Sequence, residues 1–394
     1  MCYHSEKQVL IKEISVVFEL IFVFCFTFAA LFILRKVAYR IGLVDTPNLR
    51  KHHQGTVPLI GGVAIFSSIS FFLFKHPDSL THTPLLLLCL FTLIVIGVVD
   101  DKFDISFKLR LAVQALLTMA MMYLTDLKLD YIGNIFGVGD TYFGYGAYVI
   151  TILGVIAAIN AFNMVDGIDG LLGGLSIVTF SGMAFLLYFN AQVALGDLCL
   201  VLIVAMLPYV MMNMGAFGRK RKVFMGDAGS MMIGFLVIWI LLSITQPNAT
   251  PIMRPVTALW LIALPLMDMA AIIYRRIKRG RSPFYPDRDH LHHICLKAGM
   301  KKTHTLFTIC GISGGFAIVG ILGELLAVHE SIMFAGFIVT FMLYSYMLKK
   351  NWPKRVVEMI DEAMANMPGE YVPLKSRTEE ATSSESDMRE KQEL

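Results

Sequence analysis

The sequence predicts an all-α, polytopic integral membrane protein of about eleven transmembrane helices, with a periplasmic N-terminus and a cytoplasmic C-terminus. Three observations predict it. The 394 residues are 56% hydrophobic and 16% charged, with a mean hydropathy of +0.65, whereas a soluble domain carries about 25% charged residues. Apolar stretches long enough to cross a bilayer recur along most of the chain, bounded by charges or Pro/Gly. Lys and Arg collect on alternate connections, 29 on one side and 5 on the other. Together these exclude a disordered chain, a nucleic-acid-binding module and an ordinary soluble enzyme. In lipid each spanning segment must satisfy its own backbone polar groups, which makes these stretches helices.

The expected spans lie near 15–34, 59–75, 84–100, 109–125, 147–165, 171–189, 196–214, 229–245, 255–274, 304–327 and 331–348. The first is too long for a signal peptide, and its basic flank Arg35-Lys36 follows the apolar stretch, so it is expected to be retained. The segments at 35–58, 100–110, 215–228, 275–303 and 349–394 carry the basic residues and are assigned to the cytoplasm. The longest outward connection, 126–146, holds five glycines among aromatics and is expected to be a turn-rich loop or small hairpin. Val356, Met359, Ile360, Ala363 and Met367 recur at helical spacing after Trp352, which predicts an interfacial helix over 349–374. From Lys375 onward the chain is Ser/Thr/Glu/Lys-rich, and a disordered cytoplasmic tail is expected over 375–394. Residues 1–348 would then form the membrane-embedded domain. Cys25, Cys89, Cys199 and Cys310 fall inside apolar spans and no CxxC pair exists, so no disulfide framework or zinc site is expected.

The outward connections are poor in chemistry, while the inward ones are crowded with Asp, Asn, His, Arg and Lys. Function is therefore expected at the cytoplasmic face. Asp100-Asp101 close the third span, at a helix C-terminus where the macrodipole disfavours negative charge. A site facing a cation accounts for them better than an exposed polar loop. Asn160 and Asn163 are one turn apart, as are Asp166 and Asp169, and the four would share a face if the helix continued. The pairs Asp166-Gly167 and Asp169-Gly170 signal a turn instead. Asp169 as an N-cap and Gly167 as a turn residue would explain those positions, but not the asparagines.

Asp227 opens the eighth span behind Lys220-Arg221-Lys222, between the small residues Gly226, Ala228 and Gly229. A carboxylate there is favourable as a helix cap, and small neighbours also let a ligand approach the backbone. Residues 275–302 hold nine Lys and Arg, and His290, His292 and His293 fall within four positions. Without a cysteine, these histidines suit phosphate beside arginines better than zinc; a basic membrane-surface loop is the plainer alternative. The carboxylates and carboxamides are hard oxygen donors suited to Mg²⁺ or Mn²⁺. A diphosphate on such a metal, meeting a lipid phosphate at the membrane boundary, is the natural occupant.

Val57-Pro58 with Gly61-Gly62, Asp100-Asp101, Asn160 to Gly170, Phe224 to Ser230, and Ser282-Pro283-Phe284 through His293 stand in this order on alternate cytoplasmic connections. In this arrangement the chain resembles the polyprenyl-phosphate N-acetylhexosamine-1-phosphate transferase family over roughly residues 15–350. The His-x-His-His form at 290–293 is like its GlcNAc-1-phosphate branch; the phospho-MurNAc-pentapeptide branch carries three consecutive histidines. The resemblance implies that UDP-GlcNAc and undecaprenyl phosphate give undecaprenyl-diphospho-GlcNAc and UMP. That is the first membrane step of O-antigen and enterobacterial common antigen synthesis, in the bacterial inner membrane. A sister transferase using another UDP-HexNAc is the alternative, and a homodimer is compatible with the family. By resemblance Asp227 and Asn163 hold Mg²⁺ (or Mn²⁺), and Asp166 lies on the substrate. Asp169 and Phe224 fall where relatives contact uridine, and Arg110 where they place a basic residue on the diphosphate. His290, His292, His293 and Arg281 are candidates for phosphate or sugar. Asp100 or Asp101 is the candidate for positioning or deprotonating the lipid phosphate.

A phosphate monoester has a second pKa of about 6, so much of the nucleophile is already a dianion and a general base adds little. Direct attack is therefore expected, with a covalent enzyme-phosphate as the alternative. A transporter or flippase would place ionisable groups near the bilayer midplane. Here the acids sit at inner helix ends, with Asp268 about two turns from Arg275.

Overall fold

The computed structural model describes residues 2–46, 55–246, 251–282 and 290–348. The expected interfacial helix at 349–374 and tail at 375–394 lie outside the described residues. In chain order the elements are α1 (Cys2–Ile41), β1 (Val44–Asp45), β2 (Val57–Pro58), α2 (Gly61–Lys75), α3 (Thr83–Phe103), α4 (Phe107–Thr125), β3 (Tyr131–Gly133), β4 (Thr141–Tyr142), α5 (Gly146–Met164), α6 (Leu171–Phe189), α7 (Val193–Asn213), α8 (Gly226–Thr245), α9 (Pro255–Leu261), α10 (Ala263–Lys278), α11 (Leu291–Lys297), α12 (Lys302–Leu325) and α13 (Glu330–Met347). Among the described residues nine helices are long and apolar enough to cross a membrane, and α9 with α10 makes a tenth if the bent pair is one span.

All eleven expected segments are helical, but two depart from a plain span. α2 has 15 residues and rises about 22 Å, short of a hydrocarbon core of about 30 Å. The segment expected as one helix at 255–274 is broken, with α9 and α10 at 80°. Pro265 lacks an N–H, and its ring crowds the carbonyl four residues back, that of Leu261. That carbonyl instead accepts from the Thr179 hydroxyl at 3.2 Å. The connection at 126–146 forms a hairpin, with β3 antiparallel to β4.

α8 is the central helix, buried over most of its length and packed against α2, α3 and α5. Close approach makes that possible. A Cβ on Gly97 would lie 2.1 Å from the Ala228 Cα, and one on Gly62 would lie 2.2 Å from the Gly229 Cα. Both contacts fall at the start of α8, so they set how the ends of α2 and α3 meet it. Backbone bonds add to this: Phe224 donates to the Pro58 carbonyl at 2.8 Å, and Gly61 to the Phe224 carbonyl at 2.9 Å. The Val57-Pro58 and Gly61-Gly62 positions thus build the seat on which Asp227 rests.

Candidate active site

Four connections converge at the end of the bundle where α3 and α5 finish and α8 begins. Asp104 takes a left-handed conformation and closes α3 through its N–H to the Asp100 carbonyl at 2.8 Å. Ser106 then caps α4 by accepting from Leu109 at 3.4 Å. The resulting tight turn brings Arg110 back over the end of α3. Its Nη1 lies 2.5 Å from Asp100 Oδ2 and 3.0 Å from Asp227 Oδ2.

Asp101 resolves the conflict between a carboxylate and the C-terminal end of its own helix. It accepts from the backbone N–H of Asp227 at 2.9 Å and of Ala228 at 3.4 Å. It therefore caps α8 from outside, and the positive end of one dipole compensates the negative end of another. Gly226 has φ +76, and a Cβ there would come 2.4 Å from Asp101 Oδ2. Asp227 does not act as a cap and leaves its carboxylate for the site. Asn163 donates through Nδ2 to Asp227 Oδ1 and to Ser230 Oγ, each at 2.8 Å.

The shared helical face expected for Asn160, Asn163, Asp166 and Asp169 does not form, because α5 ends at Met164. Gly167 N–H bonds the Val165 carbonyl at 2.8 Å and the chain turns. Asn160 points elsewhere, donating to Gln114 Oε1 at 3.1 Å and to the Ile156 carbonyl at 2.7 Å. Asp169 is not the N-cap of α6, which is Gly170; its carboxylate pairs with Lys222 Nζ at 2.5 Å. Lys222 Nζ also stands 5.2 Å from the centre of the Phe224 ring. Asn213 ties the two connections together, accepting from Gly170 N–H at 2.5 Å and donating to the Val223 carbonyl at 2.8 Å.

The Asp166 N–H donates to the Asn163 carbonyl at 3.3 Å, but its carboxylate has no hydrogen-bond or ion-pair partner among the described residues. Burial, then the charges of Asp227 and Asp169, push its carboxyl up to about 7. The histidines reach the same turn. The His292 ring stacks against Gly167, where a Cβ would meet its Nε2 at 2.0 Å. Burial first, then the neighbouring His293 and His290, push His292 down to about 3, so it is neutral. His290 is held by Asp268. Arg281 is exposed beyond the end of α10, its N–H on the Arg276 carbonyl at 2.9 Å. Residues 283–289 lie outside the described residues.

The structure thus unites Asp100, Asp101, Arg110, Asn163 and Asp227, and brings Asp169 to Lys222 and Phe224. It joins His292 to the Asp166–Gly170 turn. Sequence reasoning missed Lys222 as a specific partner, along with Ser230, Asn213, Asp268 and Tyr344. A signal existed for Asp268, since an acid within an apolar helix demands a partner.

Residues 83–245 match glycosyl transferase family 4. The chain is 50% identical over 335 residues to the undecaprenyl-phosphate alpha-N-acetylglucosaminyl 1-phosphate transferase of Yersinia pestis, covering 85% of this chain and 92% of that protein. It is 46% identical over 363 residues to the protein of the same name from Salmonella typhi, covering 91% and 99%. For the Haemophilus influenzae protein of that name the identity is 49% over 326 residues, covering 82% and 92%. The chain belongs to glycosyl transferase family 4, among the polyprenyl-phosphate N-acetylhexosamine-1-phosphate transferases that its motifs resemble.

Proposed function

We propose that this chain transfers GlcNAc-1-phosphate from UDP-GlcNAc to undecaprenyl phosphate and releases UMP, at the cytoplasmic face of the bacterial inner membrane. The observation that carries the reading is the gathering of Asp100, Asp101, Asp227, Asn163 and Arg110 at one end of an apolar helical bundle. A soluble anionic donor and a lipid phosphate can meet only at such a boundary. The basic segments at 219–222 and 275–281 belong to that same end, which supports a cytoplasmic orientation. The names of the relatives supply the substrate class, and the product would be the first lipid-linked intermediate of O-antigen or enterobacterial common antigen synthesis.

The residues present fit Mg²⁺ or Mn²⁺. Asp100, Asp101, Asp166, Asp169 and Asp227 face only Arg110 and Lys222 as paired cations among the described residues. Asp166 is left uncompensated. The donors are oxygens, which hard cations prefer. No group of three or more His, Cys, Asp or Glu already closes around a metal position among the described residues. Mg²⁺ does not need one, because it binds through one or two carboxylates with water and substrate phosphates completing the shell. Asp227, with the Asn163 carboxamide oxygen, would hold it. When bound, such an ion neutralises diphosphate charge.

The chain's own residues do the rest. Arg110 is fixed at Nη1 by two carboxylates, which leaves its remaining nitrogens to orient a phosphate. Phe224 offers an aromatic face for the uracil ring, beside Lys222. A lipid phosphate oxygen forms the new bond to the sugar-bearing phosphorus, and the bridging oxygen departs with UMP. Asp101 is engaged in capping α8 and Asp100 in pairing with Arg110, so both organise the site rather than attack. A dianionic acceptor needs no base, and in-line positioning is the main demand.

The test is a transfer assay on purified protein in detergent with undecaprenyl phosphate, Mg²⁺ and radiolabelled UDP-GlcNAc. UDP-GalNAc and UDP-MurNAc-pentapeptide run in parallel. Metal-dependent label in lipid from UDP-GlcNAc alone, with UMP released, is expected. Label from another donor moves the chain to a sister branch. No label from any donor overturns the reading, and UMP release without acceptor overturns direct attack.

A further inference from the structure

We propose that Asp268 and Tyr344 are positioning residues for the transfer, acting through the histidine segment on the Asp166–Gly170 turn. The inference rests on the proposed transfer and on the resemblance, which makes the histidines candidates for phosphate or sugar.

Asp268 lies in the apolar helix α10 and is 3% exposed. A carboxylate so placed is costly unless donors surround it. Three converge on it from two other helices. His290 Nδ1 is 2.8 Å from Oδ2, while Leu291 N–H at 3.1 Å and the Tyr344 hydroxyl at 2.7 Å donate to Oδ1. Leu291 N–H opens α11 and has no acceptor within that helix. Asp268 therefore fixes the start of α11 and the plane of the His290 ring together. A carboxylate oxygen only accepts, so Nδ1 carries the proton of the bond to Asp268.

From His290 the order passes inward by stacking. The His290 and His292 rings are parallel to within 12° with centroids 5.6 Å apart, and His293 lies 4.2 Å from His292. His292 is 2% exposed, and its Nε2 is buried without a hydrogen-bond partner. It presses on Gly167, where there is no room even for a methyl group. Any shift of His290 is thus passed through His292 to the turn that carries Asp166 and Asp169. Tyr344 makes the last described helix, α13, part of this support.

A merely structural tie between α10, α11 and α13 would affect stability alone. Asp268→Asn in the full-length protein separates the two. It keeps the side-chain shape and can still accept from Leu291 and Tyr344 at Oδ1. It presents an amide N–H₂ to His290 Nδ1, which drives the imidazole proton to Nε2. We expect a loss of kcat of about ten- to hundredfold, as for removal of other histidine-orienting carboxylates. The KM for undecaprenyl phosphate should hold within about twofold, since the brace does not touch the acceptor. The ¹⁵N ring shifts of His290 should report the exchanged tautomer. Tyr344→Phe removes one of three donors and should cost about two- to tenfold. Gly167→Ala should displace His292 and lower kcat without touching Asp268.

Wild-type kcat in Asp268→Asn, or a lowered melting temperature with kcat intact, overturns the inference. Should Asp268→Asn fail to fold, wild-type kcat in both Tyr344→Phe and Gly167→Ala overturns it. His290→Ala separates this failure from that of the underlying reading. If His290→Ala is inactive while Asp268→Asn is active, only the positioning role falls. If His290→Ala is fully active, the role of the histidine segment in transfer falls as well.

Discussion

At the end of the bundle away from the carboxylates, Arg254 uses all of its guanidinium nitrogens. Nε meets Glu324 at 3.1 Å, Nη1 the Val328 carbonyl at 2.5 Å, and Nη2 the Gly323 carbonyl at 2.6 Å. Glu324 also accepts from the Thr257 hydroxyl. Gln246 holds the β3–β4 hairpin by accepting from Asp130 and Tyr131 N–H at 3.1 and 2.9 Å and donating to the Tyr131 carbonyl at 2.7 Å. The other end, one length of α8 away, is built in the opposite sense. There the Asp166 carboxylate lacks a hydrogen-bond or ion-pair partner among the described residues, His292 Nε2 is an orphan, and acids outnumber their cations. The saturated groups tie the bundle together, whereas the Asp166 carboxylate and His292 Nε2 lie beside the residues proposed to bind the donor. Burying His292 Nε2 without a partner costs free energy that the saturated end helps to offset.

The largest effect that tests this contrast is at the unsaturated end. Asp227→Asn should lower kcat about a hundred- to thousandfold, the scale for loss of a preorganised charge group, with little change in melting temperature. UMP release measures the first and a thermal melt the second. A variant as active as wild type would erase the distinction between the ends. Arg254→Ala should do the reverse, destabilising the protein by about 2–3 kcal/mol, a value below that of fully buried pairs because both side chains keep some exposure. Its kcat at low temperature should match wild type; a selective loss of kcat would show that the far end takes part in transfer.

Gly97→Val probes the packing of α3 on the start of α8 at the carboxylate end. The added side chain runs into Ala228, so overpacking of about 1–3 kcal/mol is expected. Because Gly97 sits one turn before Asp101, kcat should fall along with stability. Loss of stability alone would show that the Asp101 cap tolerates displacement.

The smallest expected effect is in the pH dependence of the metal-free protein. Asp166, raised from 3.8 to about 7, binds a proton in the fold that the unfolded chain releases. Its contribution to stability therefore grows as pH falls from about 7 toward 4. His292, lowered from 6.5 to about 3, acts oppositely. The unfolded imidazole takes a proton that the buried ring does not, so stability is lost as pH falls from about 6.5 toward 3. Asp166→Asn removes the first contribution and keeps the second. Its melting temperature should drop more steeply than that of wild type between pH 7.5 and 5.5. Parallel curves would show that the Asp166 carboxylate is already compensated.

The sequence by itself determined the solvent of this protein, the helical nature of each expected segment and the family. It also marked the polar connections that the fold brings together, because hydropathy, charge asymmetry and short polar motifs are local properties of the chain. Asp100, Asp101, Asn163, Asp227 and the histidines were legible as a set for that reason. Their division of labour was not. That Asp101 caps α8 while the Asp227 carboxylate turns to Arg110 and Asn163 depends on two helix ends meeting, at glycines whose spacing says nothing of their partner. The break at Ile262 needed a hydroxyl from α6 to receive the carbonyl that Pro265 displaces. The support from Asp268 and Tyr344 spans 76 residues of chain. Only tertiary structure decides such contacts, because a buried charge is stabilised by whichever donors the packing brings within about 3 Å, and sequence distance does not set which those are.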